Sequence, residues 1–159
     1  MNILTTTIGF AEIPNKISLN IFAVGCSHNC SGCHLPELQN FNHPNRYYLT
    51  KEILQKEIDK NKELIDSVCW LGGDAVFQLD QLIELSTFIK QNYNLVNCIY
   101  TGYLFEEVQQ MSNLLDYVDI LVDGKWEGKP ISDPNTNQKI YLKQYNKWNS
   151  ITHKELFKC

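Results

Sequence analysis

Three cysteines fall within a single eight-residue stretch, Cys26-Ser27-His28-Asn29-Cys30-Ser31-Gly32-Cys33. This C-x3-C-x2-C spacing, with a glycine before the third cysteine, lets one short loop wrap three thiolates around a metal centre. Thiolates suit zinc or an iron–sulfur cluster. A closed structural zinc site needs four ligands, and His28 or His34 is available as the fourth, although both sit in or against the loop, where the geometry is poor. A 4Fe–4S cluster normally takes four cysteines. With three, one iron stays open to another ligand, as a catalytic cluster requires. The other cysteines read differently. Cys69 and Cys98 lie inside apolar runs, where a free cysteine is a small hydrophobe. Cys159 is the last residue, an incidental thiol at a fraying end.

Further residues with chemical potential stand in glycine-containing turns. In Gly72-Gly73-Asp74 the glycines allow close approach of the backbone to a ligand, and the carboxylate can accept hydrogen bonds from an ammonium group. The same three residues also make an ordinary turn. Tyr103, in Thr101-Gly102-Tyr103, could stack on an adenine or cap a helix. Lys125, in Asp123-Gly124-Lys125, could meet a carboxylate or simply be solvated. Trp70, Trp126 and Trp148 read as packing residues, and His43 and His153 carry no signal.

The elements that must position these turns follow from periodicity. Ile17 to Val24 reads as a strand that becomes continuously apolar, as strands covered on both faces do. Thr50 is a candidate N-cap for a helix whose Leu49, Ile53, Leu54 and Ile58 share one side. Val68–Leu71, Leu95–Tyr100 and Val118–Val122 are further strands. A helix marked by Leu79, Leu82, Ile83, Phe88 and Ile89, and a shorter one at Phe105–Met111, separate them. Lys139–Leu142 is a last strand. Strands alternating with helices predict an α/β fold with a mostly parallel sheet. In such sheets ligands bind beyond the carboxyl ends of the strands. The four turns beginning at Gly25, Gly72, Thr101 and Asp123 are therefore expected on one rim.

Composition limits the function classes. The chain has 159 residues, 43% hydrophobic and 20% charged, which suits one domain (1–159) with a real core and is too short for a complete (β/α)8 barrel of about 250 residues. Fourteen basic residues against 18 acidic give a net charge of −4, and Arg46 is the sole arginine, so no basic face for nucleic acid is expected. No apolar stretch approaches the ~20 residues of a membrane span. Met1-Asn2-Ile3-Leu4-Thr5 lacks the marks of a signal peptide. A cytoplasmic protein is expected, and its six cysteines then point to metal binding or catalysis rather than disulfides.

The cysteine loop resembles the signature of radical S-adenosylmethionine (SAM) enzymes. The stretch Gly25 to Glu37 is similar to the version in activating enzymes of glycyl radical proteins, most narrowly the anaerobic (class III) ribonucleotide reductase activating proteins. Leu71-Gly72-Gly73-Asp74, Tyr100-Thr101-Gly102-Tyr103, Leu121 to Trp126, and Asn137-Gln138-Lys139-Ile140 resemble that family's later motifs in the same order, so the resemblance spans roughly 17–142. The chain departs from the pattern in Ile13-Pro14-Asn15-Lys16, where a Gly-Pro-Gly-x-Arg-like lead-in is usual. It departs again in Leu35, where Asn is frequent, and in Ala75, where Pro is common. Residues 144–159 match nothing in the family.

The resemblance implies a truncated, open radical SAM partial (β/α) barrel. It implies a 4Fe–4S cluster on Cys26, Cys30 and Cys33, its open iron chelated by the amino and carboxylate groups of SAM. Gly72, Gly73, Asp74, Thr101, Tyr103 and Lys125 would form the SAM site, with Asp74 on the amino group. The implied activity is formation of a 5′-deoxyadenosyl radical and, through it, a glycyl radical on the large anaerobic ribonucleotide reductase, with an electron donor that the sequence does not name. A radical SAM enzyme acting on another glycyl radical protein or a peptide is the nearer alternative. A non-enzymatic zinc- or cluster-binding module is the farther one.

Overall fold

The computed structural model describes residues 1–157; the C-terminal Cys159 lies outside them. The elements in order are β1 (Asn2–Gly9), β2 (Ser18–Ala23), β3 (Tyr47–Tyr48), α1 (Lys51–Asn61), β4 (Ser67–Gly72), α2 (Leu79–Asn92), β5 (Val96–Tyr100), α3 (Phe105–Met111), β6 (Ile120–Asp123), β7 (Lys139–Gln144), β8 (Lys147–Ile151) and α4 (His153–Leu156). The strands form one sheet of order β3-β1-β2-β4-β5-β6-β7-β8.

The centre of the sheet is parallel: β2 pairs with β4, β4 with β5 and β5 with β6, each crossover carrying one helix. The carboxyl ends of these four strands therefore share one edge. Thr50 caps α1, its side chain accepting from the Ile53 N–H, as its position before the apolar face requires. Side chains alternate between two cores. Leu19, Ile21, Val68, Trp70, Ile99 and Leu121 pack with Leu54, Ile58, Leu82, Leu85, Ile89 and Val108 of the helices. Cys69, Cys98, Ile120, Val122, Ile140 and Leu142 point the other way and are covered by Ile13 and Leu156. Cys69 and Cys98 are fully buried neighbours across β4 and β5, consistent with their reading as small core hydrophobes.

The sheet is mixed rather than mostly parallel. Its flanks, β3-β1-β2 and β6-β7-β8, are antiparallel. Lys139–Leu142 is a strand as expected, but it runs to Gln144 and turns back through Tyr145 and Asn146, both at positive φ, into β8. Residues beyond β7 thus supply the outer strand and α4.

Candidate metal and cofactor site

The cysteine loop leaves β2 at a left-handed glycine. Gly25 has φ +94, and a Cβ there would collide with the Phe41 ring. The loop is fastened by backbone bonds, Gly25 N–H to Leu38 O at 2.7 Å, Cys26 N–H to Gln39 O at 3.2 Å and Cys33 N–H to Cys30 O at 3.3 Å. Cys26, Cys30 and Cys33 are each partly exposed and all line one cavity. Burial pushes the Cys26 thiol up to about 11, so a cationic centre is needed to hold it as thiolate. Among the described residues no three His, Cys, Asp or Glu side chains are already gathered to hold a metal ion, so the three thiols would have to turn toward one another to share a centre.

The next turn packs directly on the first. Gly73 N–H donates to Ala23 O at 2.8 Å and Asp74 N–H to Gly25 O at 3.0 Å. Asp74 is only 2% exposed. Its Oδ2 accepts from His28 Nε2 at 2.8 Å, Thr101 Oγ1 at 2.7 Å and Gly102 N–H at 2.9 Å, and its Oδ1 accepts from Val76 N–H at 3.0 Å. One carboxylate thus joins the turns after β2, β4 and β5. The turn after β6 is held by Asp123, which accepts from Phe105 N–H and Lys139 N–H at 2.8 and 3.1 Å. Gln138 Nε2 donates to Gly124 O at 3.0 Å and Asn137 Nδ2 to Lys125 O at 2.8 Å, which gives the Asn137-Gln138 pair a structural task.

The turns enclose a cavity of about 520 Å³, partly open to solvent, within the usual range of ligand pockets. The three cysteines, Gly72, Gly73, Thr101, Gly102 and Gly124 line it. Of the expected site residues, Asp74, Tyr103 and Lys125 do not. Asp74 lies behind the wall. Tyr103 packs edge-on against His28 with ring centres 4.7 Å apart. Lys125 is exposed. Trp126, read from sequence as packing, forms part of the wall, with its indole lying against His34 at 4.1 Å between centres. Glu12, Gln39 and Gln138 also line the cavity and were not expected there. Glu12 precedes β2 in an irregular segment where no periodicity marks it.

Three partly exposed thiols in the loop after β2, beside a ligand-sized cavity, suit an iron–sulfur class of site, and comparison with known proteins agrees. Residues 17–145 match the family described as 4Fe-4S single cluster domain. The anaerobic ribonucleoside-triphosphate reductase-activating protein of Enterobacteria phage T4 is 24% identical over 135 residues, 80% of this chain and 85% of that protein. The protein of the same name from Vibrio cholerae is 30% identical over 118 residues, 67% of this chain and 72% of its own length. That of Pasteurella multocida is 28% identical over 138 residues, 76% and 84% of the two chains. The chain belongs to the 4Fe-4S single cluster domain family and, within it, to the anaerobic ribonucleoside-triphosphate reductase-activating proteins. Among the described residues no helix is long and apolar enough to cross a membrane.

Proposed function

We propose that this chain is a radical SAM activase that places a glycyl radical on an anaerobic ribonucleoside-triphosphate reductase. The observation that carries the reading is the convergence of Cys26, Cys30 and Cys33 with the turns after four successive parallel strands on one cavity. The α/β architecture is read as a truncated, open radical SAM partial barrel forming one domain. Cys26, Cys30 and Cys33 would hold a 4Fe–4S cluster and leave an iron for SAM. When bound, a reduced cluster on these thiolates would supply the one electron needed to cleave SAM to methionine and a 5′-deoxyadenosyl radical, the species that would take a hydrogen atom from a backbone glycine of the reductase.

The chain's own residues hold and screen these groups. Gly72 and Gly73 bring bare backbone to the cavity wall, where the amino and carboxylate end of SAM can lie close. Thr101 and Gly102 form the adjoining wall, and Phe22, Leu71, Tyr100 and Trp126 exclude water from it. Asp74 holds the turns through Oδ2, while its Oδ1, which accepts from Val76 N–H, keeps a lone pair for the SAM amino group. Tyr103 backs His28, and Lys125 can meet only what approaches from solvent. The reductase closes the open side, and a separate electron donor reduces the cluster.

The test is anaerobic. Reconstituted protein, SAM and a strong reductant are mixed with the cognate reductase, and the glycyl radical is sought by electron paramagnetic resonance. The radical should form, and 5′-deoxyadenosine should accumulate faster with reductase than without it, because docking positions the reacting atoms. A cleavage rate that the reductase leaves unchanged, with no radical on it, promotes another substrate. Colourless protein containing zinc instead of iron removes the reading.

A further inference from the structure

We infer that His28 is a positioning residue that sets how the cysteine loop stands relative to the turns after β4 and β5, and so how tightly SAM is held; the inference rests on the function proposed above. His28 lies midway between Cys26 and Cys30. Its side chain is 8% exposed, and its Nε2 donates to Asp74 Oδ2 at 2.8 Å. The same oxygen takes the Thr101 hydroxyl and the Gly102 N–H. His28 is therefore tied to both turns that face the cavity, through one atom.

Aromatic packing also holds the ring. Tyr103 meets it edge-on at 4.7 Å between centres, and Phe77 lies tilted at 5.1 Å. Phe77 in turn packs on Tyr103 at 5.4 Å and on Phe41 at 5.8 Å. At Gly102 a Cβ would overlap the imidazole, so the turn after β5 touches the ring directly. The front of His28 lines the cavity. A residue between two cluster cysteines thus forms wall on one side and a hydrogen-bonded brace on the other. With Nε2 committed to Asp74, that nitrogen serves the loops and not a metal.

Three variants separate this role from alternatives. His28→Phe keeps a ring in the aromatic cage and removes the donor. His28→Asn places its amide near the Nδ1 position, short of Asp74. His28→Gln places an amide nitrogen near Nε2 and retains the bond. All are reconstituted anaerobically, iron is counted, and SAM affinity is titrated by calorimetry and by the change SAM causes in the resonance signal of the reduced cluster. Urea midpoints of the iron-free proteins report folding. Iron content should match wild type in all three. SAM affinity should fall about tenfold in His28→Phe and His28→Asn, as loss of one hydrogen bond to a carboxylate implies, and stay within about threefold in His28→Gln. If His28→Phe fails to fold, His28→Asn decides. Unchanged affinity in the variants lacking the donor overturns the inference, as does iron loss equal to that of Cys30→Ala, which would make His28 a ligand. Wild-type protein that takes up the cluster but shows no response to SAM overturns the underlying function as well, and is distinguishable because it precedes any variant.

Discussion

The indole N–H of Trp126 donates to the Gly32 carbonyl at 3.1 Å, joining residues 94 positions apart. Through this bond the loop after β6 is fastened to the stretch between Cys30 and Cys33. The indole also lies on His34, which directly follows Cys33. Trp126→Ala should lose both contacts and Trp126→Phe the bond alone. A neutral hydrogen bond contributes about 0.5–1.5 kcal/mol, so retention of iron under a competing chelator should fall roughly threefold in Trp126→Phe and further in Trp126→Ala. Absorbance near ~400 nm followed against chelator concentration checks this.

Removing any one of Cys26, Cys30 and Cys33 should abolish bound cluster and SAM-derived 5′-deoxyadenosine, while Cys69→Ala should keep both. Cys69 is fully buried beside Cys98, and burial holds its thiol well above the ordinary range, so it stays protonated and inert. Iron analysis and product assay of the four Ala variants make the comparison. Equal iron loss in Cys69→Ala would reveal a fourth protein ligand and close the open iron.

Gly72 should be the least replaceable glycine of the rim. Its φ is +101, and an added Cβ would lie 2.4 Å from Ala23 O and 2.7 Å from Ala23 N, both backbone atoms of the paired strand. Gly32 also has positive φ, +69, but no atom stands within 4 Å of such a Cβ. Gly32→Ala should cost about 1 kcal/mol from conformation alone, and Gly72→Ala more than about 2 kcal/mol because the sheet must also part. Urea unfolding of the iron-free variants measures the difference.

Asp123 gives a pH dependence of known sign. Burial raises its pKa above the ordinary 3.8, against the two backbone N–H groups that lower it. A carboxyl that titrates higher in the folded chain binds more protons when folded, so its contribution to stability is lost as pH rises from the unfolded value through the folded one. The stability advantage of wild type over Asp123→Asn should therefore be greatest near about pH 4 and shrink toward about pH 7. Paired urea titrations across that range test it.

What could be read from the residues alone divides along physical lines. The central strands, the capped α1 and the four turns were legible because each is local: an apolar run, a cap, a glycine. The cysteine spacing is likewise written within eight residues. β1 escaped notice because its pairing with β2 is irregular between Ile3 and Thr5, which breaks the alternation that marks a strand. The β7–β8 hairpin escaped because only one of its two left-handed turn residues, Asn146, is of a usual type, while Tyr145 takes the other place. The ties of Asp74 to His28, Thr101 and Gly102 were not legible because those partners are 27 to 46 residues distant.

Neither apolar core includes a residue of the Cys26–Cys33 loop, and the start of the loop is pinned by backbone bonds to residues 38 and 39. Losing the iron therefore removes nothing that the core depends on, unlike a zinc finger, in which metal affinity and folding free energy are one quantity. When an oxidant strips the cluster, the loss falls on a receptacle and not on its scaffold. The cell is left with a vessel to refill, and each episode of air exposure calls for new iron and sulfide instead of a new polypeptide.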